Sequence, residues 1–173
     1  HKPDRRQRQM CIRDRNWVSR TNYPALGVIP TSDSELSVYV QKNYGQPTAF
    51  IQRYSLRTDG FSSLQAGYDG GEFTTPVISF GEGNAADQCK LLLNMSTSAA
   101  GFIRAEIQDA EGRPLPNYRL DQSEELIGDQ LNRVVTWKGQ SNLAELIGKP
   151  VRLRIVMKDA NLYSIRFQSS IED

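Results

Sequence analysis

The sequence predicts an all-β protein, a jelly-roll-like β-sandwich preceded by a β-hairpin. From residue 61 onward, apolar and polar side chains alternate within short runs, a pattern typical of strands with one dry and one wet face. Turns rich in Gly, Asp and Asn separate these runs at regular spacing. Helical character is confined to residues 142–147, NLAELI, a short turn that Ser141 or Asn142 is expected to cap and Gly148 to end.

The sandwich is expected to contain seven strands, and two of them show the alternation most clearly. In residues 103–108, IRAEIQ, the odd positions are apolar, so that Glu106 and Gln108 are expected to face water. Residues 151–158, VRLRIVMK, follow a similar order. The expected strands are Phe61–Gln65, Phe73–Phe80, Gln88–Met95, Phe102–Gln108, Asn132–Trp137, Val151–Lys158 and Leu162–Gln168.

The segment before residue 60 predicts a separate β-hairpin. Ser37–Val40 is expected to form a short strand and Ala49–Arg57 a longer one, because Val, Ile, Tyr and Phe favour a half-buried pleated surface. Gly45 and Pro47 lie between them and are typical of a turn. We therefore place a domain boundary near residue 60.

Length and composition exclude several functional classes. A chain of 173 residues suffices for one domain with a hydrophobic core and a fragment of a second. No apolar run approaches the roughly 20 residues that span a bilayer, so no membrane partner is expected. His1 is the single histidine, which argues against His-dependent catalysis and a zinc site. Cys89 in QCKLLLNM is expected to be a small core residue.

The first 15 residues form a basic arm, with six Lys and Arg against two Asp. The arm has no interleaved aromatic residues, and no nucleic-acid partner is expected. The string QMCIRDR, residues 9–15, resembles the translation of a sequencing adapter. That resemblance implies that residues 1–15 are a disordered, artefactual arm and that the protein sequence proper starts at Asn16.

Several stretches carry a second resemblance, to the C-terminal part of bacterial proteins related to glycoside hydrolase family 32. The stretches are NWVSRTNYPALG at 16–27, ELSVYV at 35–40, YGQP at 44–47, RYSLRTDGF at 53–61, and the long segment 134–167. In such proteins a five-bladed β-propeller is followed by a β-sandwich. The segment 134–167, VVTWKGQSNLAELIGKPVRLRIVMKDANLYSIRF, is the most specific of the matches.

The resemblance implies that residues 16–60 are a remnant of the last propeller blade and residues 61–173 the C-terminal β-sandwich. The partner would be an upstream catalytic propeller of the same polypeptide. The catalytic motifs of these propellers, WMNDPNG, RDP and EC, do not occur in the chain, so no catalytic residue is carried over. The function implied is a non-catalytic module that packs on the propeller and contacts polysaccharide. The secretion signal of an exported protein would lie upstream.

Aromatic and basic side chains are the candidates for carbohydrate contact, because sugars stack on exposed rings. Trp17, Arg20 and Tyr23 form a polar-aromatic cluster in the blade segment. In the sandwich, Tyr118 follows two prolines and is expected to be exposed in a loop. Trp137 is a further candidate, although core packing is the simpler interpretation of a Trp on the same strand face as Val135. Tyr163 is likewise expected to pack beside Ile165 and Phe167.

Carboxylates were considered for two further roles. Glycoside hydrolysis needs a close pair, but Glu124 and Glu125 are sequence neighbours and are expected to point to opposite faces of a solvated loop. A structural calcium ion could use turn carboxylates, although no D-x-D-x-D spacing supports it. Its candidate ligands are Asp109, Glu111, Asp121, Asp129 and Asp159. No other cofactor is expected.

Two alternatives to the enzyme-tail interpretation stay open. The chain could be a free-standing carbohydrate-binding sandwich without an associated enzyme. It could also be a structural or adhesion-type sandwich that exposes an apolar patch where a neighbour docks. An active hydrolase is the least favoured, since it requires the close carboxylate pair.

Overall fold

The computed structural model describes residues 23–81 and 88–170 of the chain. Antiparallel strands dominate this part of the chain, so the predicted all-β, sandwich-like class is confirmed. The chain divides into two compact units, His1–Thr58 and Asp59–Asp173, called here unit 1 and unit 2. Each is described by itself.

The described part of unit 1 is one antiparallel sheet built around a central strand. Its strands are β1 Tyr23–Pro24, β2 Ile29–Ser32, β3 Glu35–Lys42 and β4 Phe50–Arg57. Strands β1 and β2 pair with one side of β3, and β4 pairs with the other in an unbroken register from Glu35↔Arg57 to Lys42↔Phe50. The predicted hairpin is therefore confirmed. Its turn contains Asn43 and Gly45, both with positive φ, which Asn and Gly adopt more readily than other residues.

Unit 2 contains a second antiparallel sheet that curls into a half-barrel. The order of its strands is β5-β9-β7-β8, and β6 pairs with β9 beside β5. The strands are β5 Leu64–Ala66, β6 Gly71–Thr74, β7 Gln88–Asp109, β8 Asp129–Val134 and β9 Val151–Ser170. Two 3₁₀ turns, Leu120–Gln122 and Ala144–Leu146, lie in the connections.

Two of these strands are much longer than the sequence predicts. Strand β7 joins the predicted strands 88–95 and 102–108, and β9 joins 151–158 and 162–168. The residues that separate the predicted strands do not form turns. Instead, the β7–β9 pairing is irregular there, since the register runs from Thr97↔Ala160 directly to Phe102↔Lys158. An irregularity of this kind bends and twists a strand without ending it. The same two strands, β7 and β9, therefore pair with each other on both sides of the bend in the half-barrel.

The predicted helical turn is present in a shorter form. It spans Ala144–Leu146, and Gly148 follows it with a φ of 73°. The side-chain oxygen of Asn142 accepts hydrogen bonds from the backbone N–H of Ala144 and of Cys89, both at 3.0 Å. Asn142 thus binds the start of the turn, one of the two capping residues expected, and also ties the turn to the first residues of β7.

Unit 2 holds the hydrophobic core. Cys89 belongs to it, as predicted, and burial raises the pKa of its thiol. The fully buried members with the largest side chains are Trp137, Leu91, Leu93, Met95, Ile103, Ile107, Leu126, Leu143, Leu153, Ile155, Val135 and Val151. They come from the two long strands, from the residues on either side of β8, and from the 142–147 connection, so distant segments pack together in one core.

The prediction that Glu106 and Gln108 face water is wrong, because both side chains are buried and Glu106 is only 4% exposed. The Glu106 carboxylate accepts hydrogen bonds from Gln108 Nε2 at 2.8 Å and from the backbone N–H of Leu120 at 3.1 Å. Arg154 lies 3.5 Å away and also pairs with Glu72 at 2.6 Å. The segment at Leu120 and the arginine thus cover a face that local alternation marks as wet, and their polar groups compensate the buried charge.

Candidate functional site

Unit 1 presents one apolar sheet face. The register places Val38 opposite Tyr54, Leu36 opposite Leu56, and Lys42 opposite Phe50, all on the same side of the sheet. Phe50 is 50% exposed, and no apolar side chain among residues 23–58 is buried. This sheet therefore has no hydrophobic core of its own within the described residues.

The opposite face of the unit 1 sheet carries a hydrogen-bonded polar network, and Ile29 and Ile51 are exposed on it as well. Arg53 donates from Nε to Ser37 Oγ at 2.8 Å and from its terminal nitrogen to Thr31 Oγ1 at 3.2 Å. The same guanidinium forms an ion pair with Glu35. Side chains that satisfy one another in this way are stable in water, so the apolar face is the side of the sheet that a partner would cover.

The candidate residues of the blade segment are only partly described by the structure. Trp17 and Arg20 lie outside the described residues. Tyr23 is in β1 on the polar side of the sheet, 48% exposed, with its ring edge-to-face against Tyr44 at a centroid distance of 4.8 Å. Tyr23 is therefore accessible to a ligand, whereas the predicted cluster as a whole is not tested.

Tyr118 and Trp137 are buried together in the core of unit 2, 3% and 2% exposed. Their rings are nearly perpendicular at 5.3 Å. Trp137 Nε1 donates to the backbone oxygen of Ala105 at 2.8 Å, and the Tyr118 hydroxyl donates to Glu145 Oε1 at the same distance. Core packing of Trp137 is confirmed, and neither ring is a sugar platform.

The expectation that Tyr118 is exposed is wrong because its loop lies against β7. The backbone N–H of Leu115 donates to Ile107 O at 2.9 Å, and the N–H of Ile107 donates to Tyr118 O at 2.9 Å. A turn, closed by the hydrogen bond from the Tyr118 N–H to Leu115 O at 3.0 Å, joins these two contacts and holds Tyr118 against β7. Burial, with the Glu145 carboxylate beside it, raises the pKa of the Tyr118 phenol.

Four glutamates of unit 2 are engaged by hydrogen bonds or ion pairs. Glu124 accepts from Thr136 Oγ1 at 2.7 Å and from the N–H of Gly139 at 2.9 Å, whereas Glu125 pairs with Arg104 at 2.7 Å. Glu72 and Glu106 both pair with Arg154, at 2.6 Å and 3.5 Å. These contacts give each of the four a structural role.

The calcium candidates do not come together in the part of the chain that the structure describes. No group of three Asp, Glu, His or Cys side chains there could hold a metal ion. Asp109 instead accepts from the backbone N–H of Arg113 at 2.8 Å and pairs with its guanidinium at 2.7 Å. The Arg113 backbone N–H is the main cause of the lowered pKa of Asp109.

Unit 2 also contains a cleft of about 380 Å³ that sequence reasoning missed. We call it the β5–β9 cleft. Apolar side chains and three serines line it: Ser62, Ser63, Leu64, Phe73, Leu162, Tyr163, Ser164 and Ile165. Leu64 in β5 pairs with Leu162 in β9, and Phe73 in β6 pairs with Ile155 in β9. Strand pairing therefore brings together side chains about 100 residues apart in sequence, which local patterns do not reveal.

Two side-chain hydrogen bonds fix the polar rim of the cleft. Ser63 Oγ donates to Asn161 Oδ1 at 3.1 Å, and Ser164 Oγ donates to Asp59 Oδ2 at 2.7 Å. Asp59 has a φ of 59°, a left-handed conformation that is uncommon outside glycine. The rim thus presents serine hydroxyls around an apolar floor, and two of these hydroxyls are held by Asn161 and Asp59, which do not line the cleft.

Tyr163 lies at this cleft because β9 is irregular there. Ser164 pairs with Asn94 and Leu162 pairs with Met95, so that Tyr163 has no residue opposite it on β7. The half-buried Tyr163 ring lines the cleft together with Ile165, the neighbour with which alternation groups it.

Comparison with protein-family models, curated proteins and solved structures finds no match for this chain. Within residues 23–81 and 88–170, no helix has the length and hydropathy needed to cross a bilayer.

Proposed function

We propose that the chain is the non-catalytic C-terminal module of a glycoside hydrolase. In this proposal unit 1 is a remnant of the last blade of an upstream catalytic propeller, and the module contacts polysaccharide. The observation that carries the proposal is the apolar face of unit 1, whose side chains Leu36, Val38, Val40 and Leu56 are half-buried and lack a core beneath them. The sequence resemblance supplies the identity of the missing partner.

The physical argument is that a propeller blade does not complete its own core. Each blade buries its apolar side against the next blade, so a single blade leaves that side uncovered. The unit 1 sheet has this property, because its polar face is satisfied by the Arg53 network while its apolar face has no such compensation. Burying such a face contributes about 25 cal/mol for each Å² removed from water.

The arrangement of carboxylates in unit 2 is compatible with a non-catalytic role. Glu72 and Glu106 are both paired with the Arg154 guanidinium, and Glu106 is buried. A hydrolase instead needs one carboxylic acid and one free carboxylate beside an open substrate site. The polysaccharide contact would thus bind the substrate of the propeller rather than hydrolyse it.

The test begins with the source DNA, read across the codon for Asn16 so that the true upstream coding sequence is recovered. An open reading frame encoding a propeller with an Asp and Glu pair is the expected result. A start codon close to Asn16 would refute the proposal. The chain would then be studied as a free-standing sugar-binding or adhesion sandwich.

Hydrogen exchange on the recovered full-length protein tests the docking face directly. Amides of β3 and β4 should be more protected there than in this chain alone, because docking removes the face from solvent. The variant Val38→Asp should lose that added protection. Ser55→Asp, on the polar face of the same sheet, is the matched control and should keep it. Equal protection in both proteins would contradict docking through this face.

A further inference from the structure

We propose that the β5–β9 cleft binds one sugar ring of a polysaccharide chain. The choice of ligand class rests on the proposed function, whereas the location and the binding residues come from the cleft itself. Of the five carbohydrate candidates taken from the sequence, the three that the structure describes, Tyr23, Tyr118 and Trp137, do not line this cleft. The proposal therefore adds an accessible site in unit 2, where Tyr118 and Trp137 are buried.

The floor of the cleft suits the apolar face of a sugar ring. Leu64, Phe73 and Ile165 supply aliphatic and aromatic carbon, and Leu64 is 53% exposed. The C–H groups on one face of a pyranose or furanose pack on such carbon, while its hydroxyls point outward to the rim. A mostly apolar concavity with a few convergent polar groups is the usual form of a small-ligand site.

The rim of the cleft supplies the hydrogen bonds that sugar hydroxyls require. Each sugar hydroxyl can donate one hydrogen bond and accept two, so it can pair with the lining hydroxyls of Ser62, Ser63 and Ser164, which also donate and accept. Two of these serines are held in place by hydrogen bonds, Ser63 to Asn161 and Ser164 to Asp59.

The charge and size of the cleft favour a neutral polyol over other ligands. Its lining side chains are uncharged, and Asp59, to which the lining Ser164 is hydrogen-bonded, is negative, which disfavours phosphate and other anions. A purely apolar ligand would remove the serine hydroxyls from water without replacing their hydrogen bonds to it, at a cost of about 1–3 kcal/mol for each group. A volume of about 380 Å³ lies within the range of small-ligand pockets.

Binding can be measured by amide chemical shifts of the isotopically labelled full chain during titration with glucose, galactose, mannose and fructose. We expect at least one of these sugars to shift the amides of residues 62–64 and 162–165, with a Kd on the order of 1 mM, about −4 kcal/mol. The shifts should saturate and should be small elsewhere. The absence of a saturating shift with every one of these sugars would overturn the proposal.

A matched pair of variants separates the cleft from unspecific binding. Leu64→Arg places a long charged side chain in the cleft from an exposed position and should weaken sugar binding at least tenfold. Gln65 is exposed and follows Leu64 in β5, so its side chain points to the other side of the strand. Gln65→Arg should therefore leave sugar binding unchanged. Saturable shifts that survive Leu64→Arg, or that fall outside the cleft, would overturn the assignment. The hydrogen-exchange test of the unit 1 face is unaffected by either result, so failure of one proposal is distinguishable from failure of the other.

Discussion

Tyr118 illustrates how a single side chain links the loop after β7 to the core. Its ring lies against Trp137, and its hydroxyl donates to Glu145 within the 3₁₀ turn Ala144–Leu146. Both contacts add to the backbone hydrogen bonds that join residues 122–124 of this loop to residues 136–138. A phenol in this position is held in its neutral form, because burial and the nearby carboxylate both disfavour the phenolate.

This environment predicts a loss of stability at alkaline pH. The folded-state pKa of Tyr118 is raised above its ordinary value of 10.0, so ionisation in the unfolded state begins first. The stabilisation is fully present below pH 10.0 and declines as the pH rises above that value. Tyr118→Phe should lose about 1 kcal/mol at pH 7, from the missing hydrogen bond to Glu145.

The measurement is the free energy of unfolding by urea at several pH values for both proteins. The decline above pH 10 should be shallower for Tyr118→Phe than for the unmodified chain, since the variant has no phenol at this site to ionise. Other tyrosines are present in both proteins and cancel in the difference. Parallel pH profiles would show that this phenol is not stabilised in its neutral form.

At the scale of the elements, the close approach of β7 and β9 depends on Gly101. A Cβ at this residue would lie 2.3 Å from the backbone oxygen of Asp159 and 2.6 Å from that of Lys158. Both are backbone atoms of β9 at the point where its pairing with β7 is irregular, so they cannot rotate away as a side chain would. The bend of the half-barrel therefore requires a residue without a side chain at this point.

Gly101→Ala should accordingly destabilise unit 2 by about 3 kcal/mol, at the upper end of the usual cost of overpacking. Gly67→Ala is the matched control, because its Cβ would meet no heavy atom within 4 Å and its φ is not in the left-handed range. Urea-induced unfolding of the two variants gives the comparison. A Gly101→Ala protein as stable as the control would mean that the strands can separate here at little cost.

The strands themselves could be predicted in part from local sequence. Alternation in 103–108 and 151–158 predicts both strands and their buried odd positions. The pattern of residues 142–147 predicts the short turn, although its N-cap position is Leu143 and Asn142 binds it from one residue earlier. Local sequence does not predict the continuity of β7 and β9, since Gly, Ser and Asp usually signal turns. Here two such stretches face each other and keep the ladder intact.

The errors at single sites have a common physical origin. Glu106 is buried by a hydrogen bond from Leu120 and by Arg154, and Tyr118 is buried by pairing of its loop with Ile107. The β5–β9 cleft likewise exists only through the pairing of segments about 100 residues apart. Each of these contacts is non-local, so the alternation of neighbouring residues carries no information about it.

At the scale of the whole molecule, the two units differ in what stabilises them. Unit 2 has a continuous core that includes Trp137, Leu153 and Ile155, whereas residues 23–58 contribute no buried apolar side chain. Local opening costs least where few apolar contacts are lost. Unit 1 should therefore open and be cleaved more readily than unit 2 when the chain is studied alone.

Limited proteolysis with trypsin tests this difference. Cleavage should occur first in unit 1, after Arg53 and Arg57 in β4, and leave a resistant fragment that begins close to residue 58. Mass spectrometry identifies the fragment. Arg154 in β9, which is paired with Glu72 and Glu106, serves as the internal control site within unit 2. Early cleavage at Arg154 would contradict the assigned order of stability.

The free side of β4 has a consequence for how the isolated chain behaves in solution. Among the described residues β4 pairs only with β3, and Phe50, Ile51 and Tyr54 are exposed along it. An unpaired strand edge beside exposed apolar side chains is a template on which further strands assemble. Arg53 and Arg57 place positive charge on this strand and oppose such growth. Salt that screens these charges therefore promotes aggregation of the isolated chain.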